Sequence, residues 1–393
     1  DATRQGECME RWGRLARLQK ALLSTLVLVA PAAAQQQGTG PTNPRLMPDI
    51  SVVGDLVFDL SRRSTQEGGA RFNVREMEVA FQAAVDPYFR GDVFFGYSDV
   101  EGVSIEQAYL TATALPWQLE ARLGRFLVPM GKLPTTHRHD LHTLEFPWVV
   151  QRFMSPEGLK GTGGYVSKVV SPLGFYQEVI VMVLDRLGEA PEDLTPDEPS
   201  NAKLSGLGYV ARLRNYWDLT QHANLELSAS AGTSLTPQPV EGVEEFNAIN
   251  ARQSLLGVDL TYRWRPLQQG LYRSFILQAE YLRQINQQDP DLPTGVTELQ
   301  YLGPRRAFDG GYLFARYQLT RRGYIGMRGD LVEDPEADGR TLRAASAYWQ
   351  FFPSEFSKLL AGYERLWPEG ASSSGRLILQ ATFALGPHRP HPF

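Results

Sequence analysis

From about residue 50 to residue 386, apolar and polar side chains alternate at period two in runs broken by turn residues. In Gln253–Trp264, Leu256, Val258, Leu260, Tyr262 and Trp264 fall on one face, with Gly257, Asp259, Thr261 and Arg263 on the other. Asn224–Ala231 repeats this, setting Leu225, Leu227, Ala229 and Ala231 against Asn224, Glu226, Ser228 and Ser230. In Arg376–Leu385, Leu377, Leu379, Ala381, Phe383 and Leu385 oppose Arg376, Gln380 and Thr382, with Ile378 out of phase. Successive side chains of a strand point to opposite faces, so each run predicts a strand with one apolar and one polar face. Alternation alone leaves open whether the apolar face meets lipid or a protein core.

The connections narrow the choice. About 16 strands are predicted, near 50–60, 72–85, 88–98, 103–115, 117–128, 161–169, 173–184, 206–215, 220–232, 253–264, 271–284, 310–319, 323–332, 340–352, 355–366 and 374–386. Every second turn is tight, as at Asp86-Pro87, Leu115-Pro116, Ser171-Pro172, Trp217-Asp218, Arg321-Arg322 and Pro353-Ser354. The others are mostly long and polar: 61–71, 129–160, 185–205, 233–252, 285–309 and 333–339. An even strand count, with short turns at one rim and long loops at the other, predicts a transmembrane antiparallel β-barrel with short periplasmic turns and long extracellular loops. Aromatics near strand ends (Trp117, Tyr216 with Trp217, Tyr262 with Trp264, Trp349 with Phe351 and Phe352, Trp367) suit the girdles at two membrane interfaces.

The start of the chain reads as an export signal. Met9 opens a basic stretch to Lys20, an apolar run follows from Ala21 to Ala30, and Pro31-Ala32-Ala33-Ala34 offers a small-residue cleavage site. Residues 1–8 lie upstream of this plausible initiator, 35–48 read as a periplasmic linker, 49–386 as the barrel and 387–393 as a tail. Cleavage after Ala34 removes five of 39 basic and three of 44 acidic residues, leaving 34 against 41, a net charge of −7. That charge gives no reason to expect nucleic acid. The one cysteine, Cys8, would leave with the signal, so no disulfide is expected in the exported chain. Beyond residue 34 no run approaches the roughly 18 apolar residues of a helical span.

The segment Leu119–Gly131 carries Gly124-Arg125-Phe126, Pro129 and Gly131, and it resembles a motif of the phosphate-selective porin O/P family. The resemblance implies an outer-membrane porin over roughly 50–386, with a strand ending in Gly-basic-Phe and a loop that folds into the pore. The family's run of lumen lysines and arginines is not evident here, so the solute stays open. The last strand also resembles the C-terminal assembly signal of such barrels, with Phe383 or Phe393 as the docking residue. Outer-membrane lipid, lipopolysaccharide and the barrel-assembly machinery are the implied partners, with a homotrimer possible.

Loop 129–160 holds His137, His139 and His142, half the histidines of the chain, with Arg138, Asp140 and Arg152. These six are the expected pore constriction. The three imidazoles could alternatively converge on zinc, copper or nickel, although their spacing matches no compact zinc motif. That alternative would make the protein a metal-linked uptake barrel; a second is a plugged structural or adhesive barrel. No cofactor is otherwise expected. Alternation puts Arg122, Arg212, Arg214, Arg263, Arg316, Arg328, Lys358 and Arg376 on the lumen wall with Glu76, Glu78, Glu106, Glu120, Glu226, Asp259, Glu280, Asp330 and Glu364. Eight cations against nine anions pick no sign of ion preference. The acidic residues of 185–204 read as a solvated loop. No Gly-x-Ser-x-Gly or phosphate-cradling glycine loop is present, and no catalysis is expected.

Overall fold

A computed structural model describes residues 48–61, 69–99, 102–187, 207–239, 248–287, 305–337 and 339–386. The leader 1–34, linker 35–48 up to its last residue, most of the acidic loop 185–204 and the tail 387–393 lie outside the described residues.

The sixteen strands are β1 (Asp49–Asp59), β2 (Phe72–Ala84), β3 (Phe89–Ser98), β4 (Gly102–Ala112), β5 (Leu119–Leu127), β6 (Lys160–Val170), β7 (Tyr176–Leu184) and β8 (Gly208–Thr220). They continue with β9 (Ala223–Pro239), β10 (Ala248–Trp264), β11 (Phe275–Gln287), β12 (Arg305–Gln318), β13 (Gly323–Asp334), β14 (Arg340–Ser354), β15 (Ser357–Pro368) and β16 (Ser374–Leu385). Each pairs antiparallel with its sequence neighbours, and β1 pairs with β16, from Val52↔Leu385 to Asp59↔Ile378, to close the barrel. Closure removes the unpaired edges that a sheet in lipid could not satisfy.

The strands depart from the sequence reading in two places. Trp217-Asp218 is no turn: β8 runs on past it, with a register shift between Asp218 and Thr220, and the chain reverses beyond. Predicted loop 233–252 is largely strand, because β9 and β10 stay paired out to Pro239 and Ala248. Main-chain pairing there continues beyond the apolar face that periodicity detects.

Outward side chains are apolar and exposed, among them Leu123, Val181, Val258, Leu313, Met327 and Leu379. A belt of this extent suits lipid better than water. Inward side chains are mixed, and buried charges such as Asp59, Lys160, Asp334 and Arg376 lie at the long-loop rim as well. Toward the long-loop rim they include buried Leu184, Val210, Leu255, Leu282, Phe308, Val332, Leu342 and Ile378. Toward the tight-turn rim they are charged, as with Arg214, Arg263, Arg316 and Lys358. Segment 128–159 covers the apolar side chains. Val128, Met130, Leu141, Leu144, Phe146, Val149, Val150, Phe153 and Leu159 are each 3% exposed or less and form one cluster with the wall. Full burial of each such side chain contributes about 1.5–3 kcal/mol. Ile378, out of phase in the sequence, is inward and belongs to this cluster.

Candidate functional site

The loop enters the lumen from the end of β5, and the local residues explain how. Gly124 has φ +135°, and a Cβ there would lie 2.2 Å from the Ala108 carbonyl oxygen. Only glycine fits that approach. Phe126 then sits edge-on between Tyr109 and Tyr165, at ring-centroid distances of 6.4 and 6.1 Å. Gly131, at φ +99°, passes so close to Glu280 that a Cβ would overlap its carboxylate. A hydrogen bond from the Val128 amide to the Leu159 carbonyl (2.7 Å) closes the neck of the loop. Beyond it come two 3₁₀ turns, at Leu133–Thr135 and Arg138–Asp140, and one short helix, α1 (Trp148–Phe153).

An irregular segment buried in a lumen carries carbonyl groups that need donors. The wall supplies them. Arg75 Nη1 donates to the Leu144 carbonyl (2.8 Å), Gln350 to that of His142 (3.0 Å) and Arg328 Nη1 to that of Glu145 (2.6 Å). Lys358 donates to the carbonyls of His139 and Leu141. In return, the Trp148 amide donates to Asp330 (3.1 Å), Lys132 pairs with Glu226 (3.0 Å) and Arg152 with Asp334 (3.1 Å). Wall ion pairs brace these donors: Arg75 with Asp55, Arg328 with Asp330 (2.8 Å) and Glu364 (3.3 Å), and Arg376 with Glu364 (2.7 Å).

Arg75 owes its place to a β-bulge. The β1–β2 register runs Asp55↔Glu76 and then Leu56↔Val74, leaving Arg75 opposite nothing. Such a bulge re-aims a side chain, and Arg75 and Glu76 both reach loop residues as a result. The same device on β4 skips Glu106 between Phe95↔Ile105 and Phe94↔Gln107. Glu106 then meets Lys160, and Gln107 meets His137. Strict alternation hides Arg75 and Gln107; a bulge is the signal it lacks.

Glu145 is the loop's anionic latch, within 3.2 Å of Arg75 and 2.9 Å of Arg138. Burial alone would raise its carboxyl, but Arg138, Arg75 and Arg376 outweigh that and hold it at about 2. A depressed folded value stabilises the docked loop above the unfolded range near 4.5, with loss as pH falls through about 2. The expected result is a loop that stays protected from hydrogen exchange at pH 7 and at about pH 4 alike, with Glu145→Gln exchanging faster already at pH 7. A Glu145→Gln loop as well protected as the unsubstituted one counts against the latch.

His137 and His139 are buried with ring centroids 5.4 Å apart. Nδ1 of His137 lies 2.5 Å from Glu78 Oε2, and Nδ1 of His139 lies 3.3 Å from Glu76 Oε2. Burial lowers the affinity of His139 for a proton, yet Asp140, Glu76 and Glu78 together push it up to about 10. His142 is different. It stacks near Phe314 (6.3 Å), and burial with Arg316, Lys358 and Arg263 nearby drives its pKa well below the usual histidine value. The three-histidine cluster anticipated from the sequence is therefore not formed: His142 turns toward cations, while two carboxylates of β2 join His137 and His139.

The wall arginines fall into two groups. Arg212 with Asp259 (2.8 Å) and Arg328 with its partners are locked in buried pairs. Arg122 stays partly exposed beside Glu120 (2.7 Å) and above the Tyr165 ring (4.8 Å), and Arg214 is likewise exposed beside Glu178 (2.8 Å). Arg316 lies 3.9 Å from the centroid of the Tyr324 ring. A vestibule of about 660 Å³ opens at the tight-turn rim. Arg263, Arg265, Arg316, Arg321 and Lys358 line it, with Asp140 and Glu355 as its carboxylates.

No family model matches the chain. A curated relative from Aquifex aeolicus (strain VF5), itself described as an uncharacterized protein, is 26% identical over 344 residues, covering 82% of this chain and 70% of that protein. Among solved structures, OprB of Pseudomonas putida aligns with TM-score 0.55 at 11% identity, over 86% of this chain and 94% of that one. The anion-selective porin from Comamonas acidovorans aligns at 0.54 and 11%, over 86% and 99%. The outer-membrane channel DcaP of Acinetobacter baumannii aligns at 0.52 and 12%, over 86% and 98%. The chain therefore has the fold of these 16-strand outer-membrane barrels.

Proposed function

We propose that the protein is an outer-membrane porin that passes small hydrophilic solutes and ions by passive diffusion, and that it favours anions. The observation that carries this is a closed barrel, apolar outside, whose lumen is crossed by a loop latched to the wall at many points. Barrels of this strand number leave an aqueous channel, and loop 129–160 is the element that narrows it. The vestibule supports the anion preference, since five cationic side chains face two carboxylates there. Membership of the phosphate-selective porin O/P family is part of the proposal. The left-handed Gly124 ahead of Arg125 and Phe126 gives its strand-end motif a physical meaning, and the Comamonas neighbour is itself named anion-selective. Lipid, lipopolysaccharide and the barrel-assembly machinery are its proposed partners, with a trimer as the proposed assembly, on the example of Vibrio cholerae OmpT in its trimer form.

A plugged barrel is the second reading, favoured by the buried apolar core between loop and wall. Planar-bilayer recording in a salt gradient separates the two. Discrete steps with a reversal potential of the anion-selective sign are expected. A cation-selective sign overturns the preference, and silence from a folded, heat-modifiable barrel overturns the channel.

A further inference from the structure

Two carboxylates and two imidazoles are packed where the constriction loop meets β2. We propose that Glu76, Glu78, His137 and His139 bind one divalent transition ion of the zinc class, and that this ion staples the loop to the barrel wall. Each residue offers one ligand atom, and the four atoms lie within 4.8 Å of one another. A tetrahedral zinc ion with ligands at about 2.0–2.2 Å holds them roughly 3.3–3.6 Å apart, so closure onto an ion needs movements of about an ångström.

The chemistry of the set fits. Two imidazole nitrogens with two carboxylate oxygens form a borderline donor set that suits zinc, and at higher affinity copper, over magnesium or calcium. The two carboxylates carry the charge of one divalent cation. Both are on β2, two residues apart on the lumen face, and Glu78 is almost wholly buried. Apart from the His137 contact, no second donor reaches either Glu78 oxygen among the described residues. A single ion would satisfy all four groups at once.

The surroundings orient His137 as metal sites require, since a bound histidine is positioned through its other nitrogen. Nε2 of His137 is held by Gln107 (2.7 Å), and Nε2 of His139 faces Asp140 Oδ2 at 3.8 Å. The backbone of His139 is anchored by Lys358. Four protein ligands with no open position mark a structural ion, not one in transit. That argues against metal uptake through this cluster. His142, directed elsewhere, is no part of it. The inference does not depend on whether the barrel conducts.

The test uses the full-length barrel purified in detergent, stripped with EDTA and titrated with Zn²⁺ against a chromophoric chelator. One ion per chain is expected, with a Kd on the order of micromolar or tighter. Co²⁺ should give the intense visible absorption of a four-coordinate site. His139→Ala and the pair Glu76→Gln with Glu78→Gln are each expected to weaken binding at least roughly tenfold, while His142→Ala leaves it unchanged. Less than stoichiometric uptake by the stripped, heat-modifiable protein, which requires no variant to fold, overturns the proposal and leaves two His–Glu ion pairs only. Loss of binding in His142→Ala equal to that in His139→Ala overturns it as well.

Discussion

Replacing residues 132–157 with a short Gly-Ser link is expected to raise single-channel conductance roughly threefold or more, or to create a channel if the intact barrel is silent. The excision leaves the neck in place, because the Val128–Leu159 hydrogen bond and the Leu127↔Lys160 pair lie outside it. It removes Leu141, Leu144, Phe146, Val149, Val150 and Phe153, which fill the lumen against Phe308, Val332 and Ile378. Water would take that volume, and ion flow through a pore follows its narrowest section. The wall donors that now hold loop carbonyls, Arg75, Arg328 and Lys358, would be rehydrated and not left buried without partners. Wall apolar groups would lose their cover, so a lower melting temperature is expected while heat-modifiable mobility persists. An unchanged conductance from a folded excision variant would show that the constriction lies elsewhere.

The barrel was legible in the sequence because lipid outside and water or charge inside impose opposite demands on alternate residues. Leu256, Val258 and Leu260 against Asp259, Thr261 and Arg263 is that demand written out. Ile378 broke the rule for a reason the string could not hold: the lumen wall near the long-loop rim is itself apolar where the loop packs on it. Glu76 and Glu78 were correctly placed inside by alternation. Their meeting with His137 and His139 was not legible, since it joins segments some 60 residues apart through an irregular loop. Within that loop, spacing gives no direction for a side chain, and His142 was grouped with neighbours it turns away from. Arg75 and Gln107 were hidden by bulges that leave no mark in composition.

The second large effect is steric. Gly124→Ala and Gly163→Ala are each expected to cost at least about 3 kcal/mol or to prevent folding, whereas Gly164→Ala, one residue further along β6, should be silent. Gly124 and Gly163 face each other across the β5–β6 ladder. A Cβ on Gly124 would lie 2.2 Å from the Ala108 carbonyl oxygen, and one on Gly163 would lie 2.1 Å from that of Val183. Both obstacles are backbone atoms of paired strands, so relief requires breaking the ladder; at Gly124 the positive φ adds strain. A Cβ on Gly164 meets nothing within 4 Å. The paired glycines let the neighbouring backbones close in on β5 and β6 just before β5 gives way to the loop, and Val128 follows in the cluster of buried side chains. Refolding yield by heat-modifiable mobility, with urea midpoints for whatever folds, is the measurement. If all three alanine variants fold alike, the close backbone approach is not needed and the loop must be drawn inward by its latches to the wall, with Arg75 and Arg328 foremost; if only Gly164→Ala folds, that close approach comes first and the latches secure what it delivers.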